Sequence, residues 1–233
     1  MQTIIKKNLA FFIGFLLFLI VGLVLLLTTE KGSIILYFND QRSTEGDLFF
    51  LYTTRLGEAL PYLLAFVYFL FVRFRYALVI ILVGLSASIT SLITKTFFDH
   101  NRPSLYFKEL GVFEQLNLID GIQLWEKNSF PSGHTMSAFA VYGMLAFLFG
   151  WKKSLGIVFL LLAILVGVSR MYLVQHFLQD VYLGAVLGVL IAMSIYTYQS
   201  KFPYNPNHWI DRSLFFKRKK DLPNLKKPSP QIN

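Results

Sequence analysis

The stretch NLAFFIGFLLFLIVGLVLLL, residues 8–27, contains no charged side chain. A helix rises about 1.5 Å per residue, so a run of this length spans about 30 Å, the thickness of a bilayer's hydrocarbon core. Further apolar runs follow along the chain, and the six predicted spans are Asn8–Leu27, Ala59–Val72, Tyr76–Thr94, Thr135–Gly150, Ser154–Val168 and Leu178–Tyr198. The sequence therefore predicts an all-α fold, a polytopic membrane bundle of six transmembrane helices.

Composition agrees with this class and narrows the chemistry. Apolar residues make up 55% of the chain and charged residues 15%, whereas soluble domains carry about 45–50% and about 25%. The chain has no cysteine, which excludes disulfides, thiolate metal sites and cysteine nucleophiles. After Lys201 the sequence becomes polar and rich in proline. We therefore predict a membrane domain over 1–200 and a polar basic cytoplasmic tail over 201–233, with a short interfacial stretch around Trp209.

The distribution of basic residues predicts the orientation. With the N-terminus in the cytoplasm, 14 of the 22 Lys and Arg and only two of the 13 acidic residues lie inside. Such a bias is typical of cytoplasmic segments. We expect a multi-pass protein of the cell's inner (plasma) membrane with both termini cytoplasmic and with 28–58, 96–130 and 171–177 outside. The basic run Lys217–Lys220 is then expected to meet anionic headgroups rather than nucleic acid.

The first ion-rich cluster contains Lys95 and Arg102, followed by Pro103. The two cations are about two helical turns apart, so a continuing helix would direct both to one side, and Pro103 would end it. A Lys point charge beside an Arg fork suits a phosphate with several anionic oxygens. The alternative is a pair of cations that snorkel at a helix end.

The second cluster is the sequence FPSGH, residues 130–134. Pro131 and Gly133 favour a tight turn into a helix start, where free backbone amides and the Ser132 hydroxyl can bind an anion. His134 would then project over that anion. The alternative is an ordinary helix cap with a hydrogen-bonded structural histidine.

The third cluster runs from Ser169 to Asp180. His176 and Asp180 are four residues apart, so on one helix face the carboxylate can accept from one ring nitrogen and leave the other with a free lone pair. Arg170 would end the fifth span at the same rim. The alternatives are a structural ion pair and a metal site, but His134, His176 and Asp180 offer few ligands and the nearby cations would repel a dication.

Together the three clusters resemble the type 2 phosphatidic acid phosphatase family, which shares its site with the vanadium-dependent haloperoxidases. The family motifs K-x6-R-P, P-S-G-H and S-R-x5-H-x3-D correspond here to Lys95–Pro103, Pro131–His134 and Ser169–Asp180, with each spacing matched. The resemblance covers residues 76 to about 198, which form the motif-bearing core of the predicted membrane domain.

The predicted orientation brings the three clusters to the outer-face ends of the third to sixth helices, and the resemblance implies that they form an active site there. His176 would attack phosphorus to give a phosphohistidine, Asp180 would orient it, and His134 would protonate the leaving oxygen and then activate water. The implied ligands of the phosphoryl oxygens are Lys95, Arg102, Ser132, Gly133 and Arg170. Because fixed cations would neutralise the phosphate, no metal and no other cofactor is implied.

The leading hypothesis is an integral-membrane phosphatase that acts on a lipid phosphate or diphosphate. Family members act on phosphatidic acid, phosphatidylglycerophosphate, undecaprenyl diphosphate or lipid A, and the sequence leaves this choice open. The alternatives are a lipid phosphotransferase using the same site and a catalytically idle lipid-binding or transport protein. The expected partners are the lipid substrate and the bilayer, and no oligomeric state is predicted. At the outer edge of the second span, Arg55 and Glu58 are expected to form a local ion pair rather than a headgroup contact.

Overall fold

The computed structural model describes residues 2–150 and 152–215, and in these ranges all regular secondary structure is helical. Two single turns of 3-10 helix, Phe113–Gln115 and Trp209–Asp211, accompany the longer elements. The α-helices of this part of the chain are α1 (Gln2–Lys7), α2 (Leu9–Thr28), α3 (Ser33–Asp40), α4 (Thr44–Arg55), α5 (Ala59–Val72), α6 (Phe74–Phe98), α7 (Pro103–Glu109), α8 (Gly133–Leu148), α9 (Lys153–Tyr172) and α10 (Leu178–Gln199). The predicted all-α class is confirmed.

Each of the six predicted spans coincides with a helix. By length and composition, α2, α6, α9 and α10 can each cross a membrane. Helices α4 and α5 pass the same test only as a pair, and they are bent by 49° at the break between them. Helix α8 is apolar but has only 16 residues. The chain is therefore a multi-pass membrane protein, while the count of six crossings stays a prediction.

Helix α8 occupies the centre of the bundle. Almost every side chain from Thr135 to Phe147 is buried, and the helix packs against α6, α9 and α10. A helix that is apolar on all sides requires such surroundings, because it has no polar face to present to water. In contrast, α2 lies at the periphery and leaves most of its leucine and isoleucine side chains exposed, as a lipid-facing helix would.

Two glycines of α10 allow it to lie very close to α8. A Cβ atom at Gly184 would lie 2.7 Å from the carbonyl oxygen of Ser132, and one at Gly188 would lie 2.5 Å from that of Met136. Any side chain would force the helices apart. At the same contact, the Ser132 N–H donates to the carbonyl oxygen of Asp180 at 3.0 Å. The glycines therefore bring the second and third sequence clusters together.

The start of the predicted tail, residues 202–214, packs against the end of the bundle opposite these clusters, and we call it the docked segment. Arg75 forms two hydrogen bonds of 2.8 and 2.6 Å with the buried Asp211 carboxylate. The Phe74 N–H also donates to the Arg212 carbonyl oxygen at 2.8 Å. The exposed Trp209 lies in a 3-10 turn of this segment. The basic run Lys217–Lys220 lies outside the described residues, and the boundary at residue 200 stays a prediction.

Candidate functional site

The chain between Lys95 and Arg102, the two cations of the first cluster, does not form one continuous helix. Helix α6 ends at Phe98, because Asp99 adopts a left-handed conformation with φ 39°. Arg102 has extended backbone, and Pro103 is the first residue of α7. The prediction of a helix that continues to Arg102 and ends at Pro103 was therefore wrong. Proline favours the first position of a helix, since its missing N–H would have had no partner there.

Lys95 on α6 and Arg102 just before α7 nevertheless lie near each other at the same end of the bundle. The Arg102 guanidinium is buried, with Nε donating to the carbonyl oxygen of Lys127 at 2.9 Å and Nη1 to the Gln175 side chain at 3.1 Å. The Lys95 Nζ atom lies 3.7 Å from the position that a Cβ of Gly133 would occupy. That Cβ would also lie 2.9 Å from the Ser91 hydroxyl. The absence of a side chain at Gly133 thus leaves room for the Ser91 hydroxyl, and Lys95 lies next to it beside the start of α8.

The predicted turn into a helix start is confirmed at residues 130–134. Helix α8 begins at Gly133, and the buried Ser132 caps it by accepting from the Thr135 N–H at 3.4 Å. Ser132 therefore forms the helix cap that the sequence offers as the alternative. His134, in the first turn, keeps 34% of its side chain exposed, and its Nε2 lies 3.4 Å from Glu58 Oε1.

The predicted ion pair between Arg55 and Glu58 was wrong. Glu58 contacts His134 instead, whereas the Arg55 guanidinium lies over the Tyr52 ring at 5.4 Å. The two residues lie on either side of the bend between α4 and α5, where the backbone is not helical. A spacing of three residues brings side chains together only on a continuous helix.

His176 and Asp180 form the predicted contact, but from a different local structure. His176 precedes α10 and lies in the segment that joins it to α9, so it is not on the helix face. Its Nδ1 is 3.3 Å from Asp180 Oδ2, which also accepts from the Phe177 N–H at 3.0 Å. Both side chains are almost completely buried. The carboxylate thus engages one ring nitrogen and leaves Nε2 for chemistry.

Burial determines the protonation state of His176. Desolvation lowers its pKa to about 3, and the positive charge of Arg170 acts in the same direction, against the stabilising contact with Asp180. The imidazole is therefore neutral near pH 7 and has a lone pair to donate. A neutral imidazole beside fixed cations is the form that a nucleophile requires.

Three residues that sequence reasoning missed complete the surroundings. Ser129 donates to Asp180 Oδ2 at 2.5 Å, Thr54 accepts from Arg170 Nη1 at 2.6 Å, and Gln175 binds Arg102. Ser129 is next to the FPSGH stretch, which is the signal that could have found it. Thr54 lies on α4, distant in sequence from every cluster, and only the fold reveals it.

Two polar atoms at this site lack a hydrogen-bond partner in the described part of the chain. They are Arg170 Nε and Asp180 Oδ1, and both are buried. An unpaired buried N–H is costly, so Arg170 is suited to an anionic ligand. Over residues 2–150 and 152–215, no group of three His, Asp or Glu side chains could hold a metal ion. The arrangement can bind an oxyanion beside a neutral histidine.

These features define a helical membrane protein with a candidate oxyanion site at one end of its bundle. The sequence pattern of the PAP2 superfamily matches residues 74–204, more than half of the chain, and the chain belongs to this superfamily. The resemblance that the three motifs indicated is therefore confirmed.

Similar proteins and a solved structure agree with this family membership. The chain is 32% identical to Lipid phosphate phosphatase 2 of Arabidopsis thaliana over 187 residues, which cover 69% of this chain and 64% of the relative. It is 41% identical over 81 residues to Phosphatidylglycerophosphatase B of Bacillus subtilis, covering 31% of this chain and 40% of that protein. The chain thus covers less than two thirds of each of these relatives. The crystal structure of Aquifex aeolicus LpxE matches with a TM-score of 0.62 and 27% identity, over 72% of this chain and 95% of that one.

Proposed function

We propose that the protein is an integral-membrane phosphatase that hydrolyses a lipid phosphate or diphosphate through a phosphohistidine on His176. One observation carries the proposal: a buried neutral histidine, oriented by Asp180, lies beside Arg170, whose Nε is buried and unpaired. Lys95 and Arg102 lie within electrostatic range of the same groups. Phosphoryl transfer needs this combination of a positioned nucleophile and neutralised oxygens.

In the first step, His176 Nε2 attacks phosphorus. The N–P bond forms as the P–O bond to the leaving group breaks, and the electron pair of that bond goes to the leaving oxygen. His134 gives its proton to this oxygen, so the lipid leaves as an alcohol or as the shorter phosphate. Lys95, Arg102 and Arg170 neutralise the phosphoryl oxygens, while Asp180 stabilises the charge on the His176 ring.

In the second step, a water molecule attacks the phosphohistidine. His134, now neutral, takes a proton from this water as its oxygen bonds to phosphorus and the N–P bond breaks. Inorganic phosphate leaves, and His176 and His134 return to their starting forms. The three cations perform the charge neutralisation at each step, so we propose that the reaction needs no divalent metal.

A groove between α5 and α6 supports a lipid as the substrate. It has a volume of about 510 Å³, begins at Glu58 beside His134, and continues between apolar side chains that include Phe66, Ile80 and Leu85. This apolar groove could hold an acyl or isoprenoid tail while the phosphate occupies the cationic site. The names of the relatives, a lipid phosphate phosphatase and a phosphatidylglycerophosphatase, point to the same substrate class.

We further propose that the site faces the outside of the cell membrane. Arg73, Arg75 and Lys201 lie near the docked segment at the opposite end of the bundle. An excess of Lys and Arg is typical of the cytoplasmic side. This orientation supports cytoplasmic termini and an extracytoplasmic active site in an inner (plasma) membrane.

Phosphate release by the purified full chain tests the proposed function. The substrates are phosphatidic acid, phosphatidylglycerophosphate, undecaprenyl diphosphate and lipid A, each in detergent micelles, with His176→Ala as the control. We expect release from at least one lipid by the wild type and background release by the variant. Release from none of these lipids, or equal release by His176→Ala, would contradict the proposal. Transfer of phosphate to an added lipid alcohol rather than water would identify a phosphotransferase instead.

A further inference from the structure

The junction between α4 and α5 contacts the candidate site at two points. We call residues 54–58 the elbow. Thr54 accepts a hydrogen bond from Arg170 at its start, and Glu58 lies 3.4 Å from His134 Nε2 at its end. None of the three motif clusters includes the elbow. Its backbone leaves the helical path there, since the two helices differ in direction by 49°.

The backbone of the elbow packs closely against His134. A Cβ atom at Gly57 would lie 2.9 Å from the carbonyl oxygen of His134 and 2.7 Å from a methyl carbon of Val166. The backbone therefore approaches α8 and α9 more closely than any residue with a side chain would allow. The Tyr142 hydroxyl, on α8, donates to the Leu56 carbonyl oxygen at 3.1 Å and anchors the same turn. These contacts bring Glu58 to the ring.

The contact between Glu58 and His134 lies among positively charged groups. The titratable groups that face it from the neighbouring elements are Arg170, His176, Lys95 and Arg102, each of which is or can become positive. Glu58 is the carboxylate in contact with the ring. A proton on His134 is disfavoured by burial first and by the cations second, and it is favoured by an adjacent anion. A general acid in this place therefore needs a group such as Glu58.

We propose that Glu58 is a positioning residue for His134, holding its ring and favouring the protonated form that gives a proton to the leaving group. The inference rests on the proposed function, in which His134 acts first as acid and then as base. The arrangement repeats the logic of Asp180 with His176, where a carboxylate engages one ring nitrogen and leaves the other for the reaction. Glu58 is half-exposed and faces the groove, so it does not serve as core packing.

Leaving-group chemistry separates this role from a structural one. A lipid alkoxide needs a proton to leave, whereas the p-nitrophenolate of p-nitrophenyl phosphate leaves without one. For Glu58→Gln we expect kcat/KM for phosphatidic acid to fall at least about tenfold, within the range of general acid–base effects, and that for p-nitrophenyl phosphate to change less than about threefold. Glu58→Asp keeps the charge and should recover part of the loss. The matched control is Glu45→Gln, which removes one exposed charge from α4.

The pH profile gives a second readout. The alkaline limb of kcat/KM reports loss of the acid form in the free enzyme. Without the Glu58 carboxylate the protonated ring is less favoured, so we expect this limb to move about one unit lower in Glu58→Gln, and not in Glu45→Gln. An equal loss for both substrates with an unmoved limb would mean a structural role and would overturn the inference. Wild-type behaviour of both Glu58 variants would do so too. A wild type that releases phosphate from none of the four lipids would instead reject the proposed function itself.

Discussion

Replacement of Ser129 by alanine tests the support of the nucleophile. The Ser129 hydroxyl donates to Asp180 Oδ2 at 2.5 Å and is completely buried, as is the carboxylate. The other oxygen, Asp180 Oδ1, already lacks a partner among the described residues. Ser129→Ala leaves the carboxylate with the Phe177 N–H and the His176 ring as its remaining partners.

The magnitude follows from the charge of the acceptor. A hydrogen bond to a charged group contributes about 1.5–3 kcal/mol, so the free energy of unfolding should fall by this amount. For a chain of this size that corresponds to a decrease in Tm of about 3–12 °C. The bond should strengthen further in the transition state, where Asp180 stabilises a charged His176 ring. If the additional loss there is again about 1.5–3 kcal/mol, kcat falls about 10- to 150-fold.

Thermal unfolding in detergent and phosphate release on the same preparation measure both effects. Ser200→Ala is the matched control, because Ser200 is exposed at the opposite end of the bundle and its hydroxyl donates to the carbonyl oxygen of Thr197, three residues earlier. Its Tm and kcat should stay close to the wild-type values, as for most surface substitutions. If Ser129→Ala also matches the wild type in both measurements, the assigned hydrogen bond does not support the site.

Three further predictions follow from the cations, the orientation and the docked segment. Activity should persist in excess chelator and should be inhibited by orthovanadate, which can adopt the five-coordinate geometry of the transition state. Loss of activity in chelator, with recovery on adding Mg²⁺ or Zn²⁺, would assign another reaction class. In intact cells, a cysteine placed at Glu114 should react with an impermeant reagent and one placed at Lys153 should not, and the reverse pattern would invert the orientation. Asp211→Asn removes the buried charged partner of Arg75 and should lower the free energy of unfolding by up to about 3 kcal/mol. The value of kcat should not change, because the substitution is at the far end of the bundle. An unchanged Tm would show that the ion pair does not hold the docked segment.

Sequence patterns predicted the features that depend on neighbours along the chain. Apolar runs located the six apolar helices α2, α5, α6, α8, α9 and α10. The turn at residues 130–134 gave the start of α8, because capping and hydrophobic periodicity are local. The path from Lys95 to Pro103 was predicted wrongly, since the left-handed conformation of Asp99 has no signal in a spacing argument. The spacing of His176 and Asp180 predicted their contact correctly although the histidine precedes the helix.

The remaining contacts join residues that are far apart in sequence. Thr54 binds a residue 116 positions away, Glu58 one 76 positions away and Ser129 one 51 positions away. No periodicity relates such positions, because their proximity depends on how α4, α5 and the loop before α8 pack on the bundle. The motif residues were visible in the sequence, whereas the residues that orient them required the fold.

Direct detection of the covalent intermediate tests the central claim. The purified full chain is mixed with a lipid phosphate labelled in its phosphoryl group, quenched within milliseconds under alkaline conditions, and mapped by peptide mass spectrometry. The account predicts labelled phosphate on His176 in the wild type, none in His176→Ala, and accumulation in His134→Ala when the leaving group needs no proton, since water is then not activated. Label on another residue, or active turnover by His176→Ala, would contradict the claim that His176 is the nucleophile.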